Sequence, residues 1–171
     1  MSGIDFTDRA QNSLSNAFQL AKDYAHAQLA PAHIALALLT DDTSNAQGVL
    51  STNKDSQSLF KSICEKCGIK VSEFEDKLRE NLRKIPQQSP APDDVSLTGA
   101  AGKIFKHAQQ LKTDQRDSFI AQDHILLALL DDPTISNILK QSGLANPDLF
   151  KNAVNQARGG RHTVSYTHLR A

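Results

Sequence analysis

From Thr7 onward the apolar residues recur at steps of three and four: Ala10, Leu14, Ala17, Phe18, Ala21, then Tyr24 or Ala25. That spacing draws one stripe along a helix. Thr7 suits its N-cap, and Asp8 suits the positive end of the helix dipole. The next apolar segment, "AHIALALL", follows Pro31 and is apolar on most sides, which predicts a central helix with proline in its first turn. A polar stretch from Thr40 to Gln57 leaves room for one short helix near Ala46–Leu50. "SLFKSICEKCG" predicts an amphipathic helix stopped by Gly68. "VSEFEDKLRENLRKI" predicts another, capped by Ser72, with acids in its first turns, Arg83 and Lys84 in its last, and Pro86 ending it. Three prolines in "PQQSPAPDD" mark Pro86–Asp94 as an exposed, semi-extended connector. Beyond it "LTGAAGKIFKHAQQLK", with Thr98 as its cap, opens a second helical series that continues through "FIAQDHILLALLDD", "TISNILKQSG" and "NPDLFKNAVNQARGG".

The second series repeats the first. Displaced by 91 residues, Thr7 falls on Thr98, Ala10 on Ala101, Ala17 on Ala108, Gln19 on Gln110, Leu20 on Leu111, Asp23 on Asp114 and Ala30 on Ala121. His33 then falls on His124, and Ile34, Leu36, Ala37, Leu38, Leu39 and Asp41 also meet their own kind, giving 14 identities over the 35 positions from Thr7 to Asp41. Chance pairing gives roughly 2 or 3 at ordinary residue frequencies. After the polar stretch the displacement becomes 75, placing Gly68 on Gly143 and Glu73 on Asp148. The chain therefore reads as a tandem duplication of a four-helix unit. One unit has too little core to be stable alone, and two copies about a pseudo-two-fold axis bury matching faces and leave a groove at their junction. The expected organisation is one all-α domain over 1–158, with about eight helices. Repeat one spans about 4–85, a linker 86–94 and repeat two about 95–158; 159–171 reads as a linker or vector-encoded tail.

Composition agrees with this. The 171 residues include 20 Leu and 20 Ala against 5 Val, and no Trp, a balance that favours helix over strand. Lys and Arg number 19, as do Asp and Glu, so nothing in the net charge favours nucleic acid or anionic lipid. No secretory signal is visible, no apolar run is long enough for a membrane span, and two cysteines fit a reducing compartment. A Walker-type phosphate loop is absent, as is a Gly-x-Ser-x-Gly elbow, and "GAAGK" at 99–103 has the wrong spacing. The "CEKC" pair, Cys64 and Cys67, falls at a helix C-terminus, the wrong end for lowering a thiol pKa. Packing competes there with a redox or metal role. His33 and His124 read either as hydrogen-bonded structural histidines at helix starts or as a metal pair lacking further ligands in sequence. Asp41–Asp42 and Asp131–Asp132 follow the central helices and read as turn and cap chemistry.

The segments "FTDRA", "QLAPAHIALALL", "KIPQQSPAP" and "RDSFIAQDHILLALLDD" resemble the N-terminal domain of the Clp-type AAA+ protein disaggregases, with the fungal heat-shock branch nearest. The likeness covers about residues 4–158 and both repeats in order. It implies a substrate- or adaptor-binding domain mounted on a hexameric ATP-driven ring, with an apolar groove for extended hydrophobic segments of unfolded or aggregated proteins. Co-chaperones are further candidate partners. The fragment itself is then a monomer, not an enzyme, without cofactor. ATP and magnesium belong to the parent protein, in the cytoplasm with the nucleus as a second location. By position the resemblance marks Thr7 and the acidic Asp117 and Asp123 flanking "FI". Leu97, Phe105, Phe119 and Ile120 are the apolar candidates for the groove floor. A core role competes for each, most directly for Phe105, on the stripe Ala101, Ile104, Ala108, Leu111. Ala32 stands where repeat two has Asp123, so any binding that uses this acid is asymmetric. The alternative function is a helical scaffold or dimerisation module; a thiol or metal enzyme built on "CEKC" is a third.

Overall fold

A computed structural model describes residues 6–40, 59–88 and 94–157. The predicted short helix near 46–50, the Asp41–Asp42 pair, much of the connector and the tail after 157 lie outside them. Eight helices are present among the described residues: α1 (Asp8–Asp23), α2 (Pro31–Leu39), α3 (Leu59–Lys66), α4 (Val71–Arg83), α5 (Gly99–Asp114), α6 (Gln122–Leu130), α7 (Pro133–Gln141) and α8 (147–157). The 91- and 75-residue displacements map α1 to α4 onto α5 to α8 in order.

Helices α2 and α6 form the centre. Every residue of both is buried, as their all-round apolar character requires. Helix α2 packs on α1, α3 and α4 of its own copy and touches α5, α6 and α7 of the other, so the two copies share one core. Side chains such as Leu36, Leu39, Ile125 and Leu126, fully removed from water, each contribute roughly 1.5–3 kcal/mol by burial. Phe60, Phe74 and Phe150, on α3, α4 and α8, close one end of this core through edge-to-face contacts at 5.3 and 6.0 Å.

Local geometry repeats with the sequence. The hydroxyl of Thr7 accepts from Ala10 N–H (3.2 Å) and that of Thr98 from Ala101 N–H (3.0 Å). Ala25 and Arg116, 91 residues apart, end α1 and α5 at the same left-handed φ of 59°. Two extended pairs show the dyad most directly. Strand β1 (Gln28–Leu29) lies parallel to β2 (Ser96–Leu97), and Phe6 bridges in parallel to Ile120. In the first pair Thr98 N–H donates to the Leu29 carbonyl (3.1 Å); in the second Thr7 N–H donates to that of Ile120 (2.9 Å). Each copy thus lends the residues before its first helix to the residues before the other's central helix. A second seam joins the turns at Gly68 and Gly143, where Lys70 N–H donates to the Ser142 carbonyl at 3.0 Å.

One expectation is corrected. Ser72 does not cap α4: the N-cap is Lys70 and the helix begins at Val71, with no side-chain cap bond. The Lys70–Ser142 bond fixes where the chain enters this helix, and Ser72 falls within its first turn.

Candidate functional site

Each central helix starts at an alanine, Ala30 or Ala121, that has no side-chain acceptor. The third helical residue supplies one. His33 Nδ1 accepts from Ala30 N–H (2.8 Å), and His124 Nδ1 from Ala121 N–H (2.9 Å). This is the returning half of a capping box, made by imidazole instead of carboxylate. The bond fixes the tautomer, with the proton on Nε2. In copy two that proton goes to Asp117 Oδ2 at 2.8 Å. In copy one it goes to His26 Nδ1 at 2.9 Å. His26 and Asp117 are themselves 91 residues apart. Burial, and then the neighbouring His26 ring, push His33 down to about 4; burial also lowers His26. The doubled histidines are therefore structural, and no cluster of three or more metal-ligating side chains exists among the described residues.

The sequence-derived candidates separate into three groups. Thr7, Phe105, Phe119 and Ile120 meet where Phe6 crosses Ile120. Phe6 stands edge-on to Phe105 with ring centres 6.2 Å apart. Phe105 and Ile120 face inward and are buried, whereas Phe119, on the opposite side of the same extended segment, is 50% exposed. That alternation is the ordinary pleat of a strand. Asp117 lies near this seam but serves His124, and Asp123 is buried at the start of α6. Leu97 belongs to the reciprocal pair, against Leu29. So Phe105 and Ile120 underlie the surface, and Phe119 is what solvent meets. Phe6 was not singled out by sequence reasoning, although the 91-residue displacement sets it on Leu97. His26 was missed too; its signal was the pairing with Asp117, seven residues before each central histidine.

Elsewhere, a cleft of about 490 Å³ lies between the start of α5 and the α6–α7 turn. It is lined by Gly99, Lys103, Ile104, Asp131 and Pro133, with His107 Nδ1 3.1 Å from Asp131 Oδ2. It holds none of the candidates. Asp132 caps α7 through Ile135 N–H at 3.1 Å, in line with the cap reading of these aspartates. Cys64 is buried and Cys67 half-buried. Burial first, with nearby negative groups adding for Cys64, pushes both thiols up and away from the nucleophilic thiolate. No described helix is long and apolar enough to cross a membrane.

A duplicated all-helical chain whose two copies share one core, with a histidine closing the start of each central helix, is a tandem helical repeat domain. More particularly, the profile of the Clp repeat (R) N-terminal domain matches residues 5–54 and 50–142, and the chain belongs to this family. It is 36% identical over 165 residues to heat shock protein 104 of Schizosaccharomyces pombe, and 36% over 166 residues to heat shock protein hsp98 of Neurospora crassa. Those matches cover 96% of this chain but only 17% and 18% of the relatives, so the chain spans under a fifth of their length. The crystal structure of the Hsp104 N-terminal domain from Candida albicans superposes with a TM-score of 0.74 at 35% identity, covering 91% of this chain and 92% of that one.

Proposed function

We propose that this domain binds exposed apolar segments of unfolded or aggregated proteins, or adaptors that present such segments, on behalf of an ATP-driven disaggregase. One observation carries the reading. Phe119 is a half-exposed aromatic beside the Phe6–Ile120 crossing, and the position 91 residues before it is the polar Gln28. A single aromatic over an apolar underlayer suits weak contact with many sequences. On this reading the contact surface has Phe105 and Ile120 beneath it, with Thr7 and Asp117 at its edge. Asp123, buried at the start of α6, and Leu97, on the β1–β2 pair, are on this reading supporting residues of the binding region. The parent protein, by family, supplies the hexameric ring, ATP and magnesium, and works in the cytoplasm, with the nucleus as a further location.

Amide chemical-shift mapping with reduced, carboxymethylated lactalbumin tests this. The expected result is shifts centred on Ser118–Ile120 and Thr7, weakened several-fold by Phe119→Ser with no change in the fold. No shifts at millimolar ligand would favour a scaffold or dimerisation role instead.

A further inference from the structure

Copy one departs from copy two at the buried partner of its central histidine. Where His124 faces a carboxylate, His33 faces a second imidazole, with His26 Nδ1 and His33 Nε2 2.9 Å apart and both rings buried. The hydrogen bonds assign the protons. His33 Nδ1 is an acceptor for Ala30 N–H, so its Nε2 carries the hydrogen, and His26 Nδ1 must accept it. His26 then carries its own hydrogen on Nε2, which makes only a loose contact with the Ile85 backbone. Both lone pairs of the pair are therefore in use. A further proton has two places to go. On His26 Nδ1 it sets two N–H groups against each other; on His33 Nδ1 it faces Ala30 N–H. Either one turns a hydrogen bond into a donor–donor contact. Copy two escapes this, since a carboxylate has about four acceptor sites and takes a proton while still accepting from His124.

Among the described residues no carboxylate bonds to either ring. From the end of α1, Tyr24 stacks on His26 with ring centres 5.4 Å apart. From α4, Arg79 bonds Tyr24 and is itself paired to Glu75 at 3.0 Å. From α2 there is His33. The start of the connector, Ile85 to Gln88, brings no titratable group and is held to this corner by Gln88 N–H donating to the Ala25 carbonyl at 2.7 Å. We propose that the His26–His33 pair is an acid-released latch: at neutral pH it fixes the start of α2 and the beginning of the inter-repeat connector to the end of α1, and uptake of one proton frees both, while the matching corner of copy two stays closed. The latch is independent of the Phe119 surface, which lies on the other copy's segment.

Imidazole nitrogen NMR and amide exchange of the chain across pH 7.5 to 4.5 test it. Both rings should hold the Nε2–H tautomer at pH 7.5. As pH falls below about 6, protection factors of Ala30 and Gln88 should drop together by tenfold or more, with Ala121 unchanged. His26→Asp, which copies the carboxylate of copy two, should abolish that drop. His26→Gln, a neutral acceptor that takes no proton, leaves only the His33 Nδ1 site, so it should uncouple the two amides, with Gln88 staying protected while Ala30 alone loosens; it serves if the aspartate variant does not fold. His33 titrating near 6.5 with Ala30 and Gln88 unmoved, an equal drop of both amides in either variant, or Ala121 loosening in step would each overturn the proposal.

Discussion

Alanine substitution at two matched glycines should have unequal effects, because the seam between the copies is crowded on one side only. Gly68 and Gly143 are 75 residues apart and both have positive φ, +77° and +127°. A Cβ on Gly68 would meet nothing within 4 Å. Gly68→Ala therefore brings only the left-handed backbone penalty of about 1–2 kcal/mol, offset by about 0.4–1 kcal/mol from a less flexible unfolded chain. The net loss is about 1 kcal/mol. At Gly143 the φ lies outside the left-handed helical well, with a strain of about 1–3 kcal/mol. A Cβ there would stand 2.9 Å from the Gly68 carbonyl oxygen and 3.4 Å from Ile69 Cα. Both are backbone atoms, so the turns must part, and the adjacent Lys70–Ser142 bond (3.0 Å) weakens by about 1 kcal/mol. Gly143→Ala should then lose about 3 kcal/mol in all, some 6–12 °C in Tm for a domain of this size. Urea unfolding with an unchanged m-value is the assay. Losses that agree within about 0.5 kcal/mol would refute the idea that these turns abut across a seam.

Thr7→Ala and Thr98→Ala should each lower stability by about 1 kcal/mol, to the same extent in denaturant titration, since each removes one cap bond. In thiol titration Cys67 should react first and Cys64 only on unfolding, because Cys64 is buried and its thiol pushed up. Stability should also fall in acid. His33 has its pKa lowered from 6.5 to about 4, so between those values the unfolded chain binds more protons. Its contribution is complete above about 6.5 and is lost as pH falls towards 4, by on the order of 2–3 kcal/mol. Thermal unfolding in matched buffers reads this, and a flat profile from pH 7 to 4.5 would contradict it.

What the sequence reveals here follows the range of the forces involved. The caps at Thr7 and Thr98 need only a hydroxyl and a backbone three residues away, so they are visible in the local sequence. The central helices are visible because nine consecutive buried positions leave an apolar run that no surface helix shows. The Ser72 expectation failed because a tertiary bond, Lys70 to Ser142, sets the start of α4. The two short parallel pairs escaped notice because one or two extended residues have no period to detect. Their partners lie 68 residues apart in one case and 114 in the other. The candidate surface was half legible. Period-two alternation separates Phe119 from Ile120 only once the bridge to Phe6 is known.

The duplication also explains why recognition need not be symmetric. The copies share the features that hold the fold: capping threonines, central helices, left-handed helix ends and exchanged extended pairs. They differ where solvent or a proton meets the chain. Gln28 stands opposite Phe119 in the alignment, Ala32 opposite Asp123, and His26 opposite Asp117. The Ala32–Asp123 change is buried in both copies, and of the His26–Asp117 pair His26 is buried and Asp117 half-buried, yet the shared core absorbs both changes without losing the reciprocal hydrogen bonds at Thr7 and Thr98. A frame with two-fold redundancy can thus keep an apolar contact on one copy and a proton-sensitive contact on the other. Exchanging Phe119 and Gln28 in one variant separates these roles. Client contact should move to the β1 side, while the acid response of Ala30 and Gln88 stays where His26 and His33 are. If shifts in ligand mapping remained at residue 119 after the exchange, the aromatic would not be the determinant of contact.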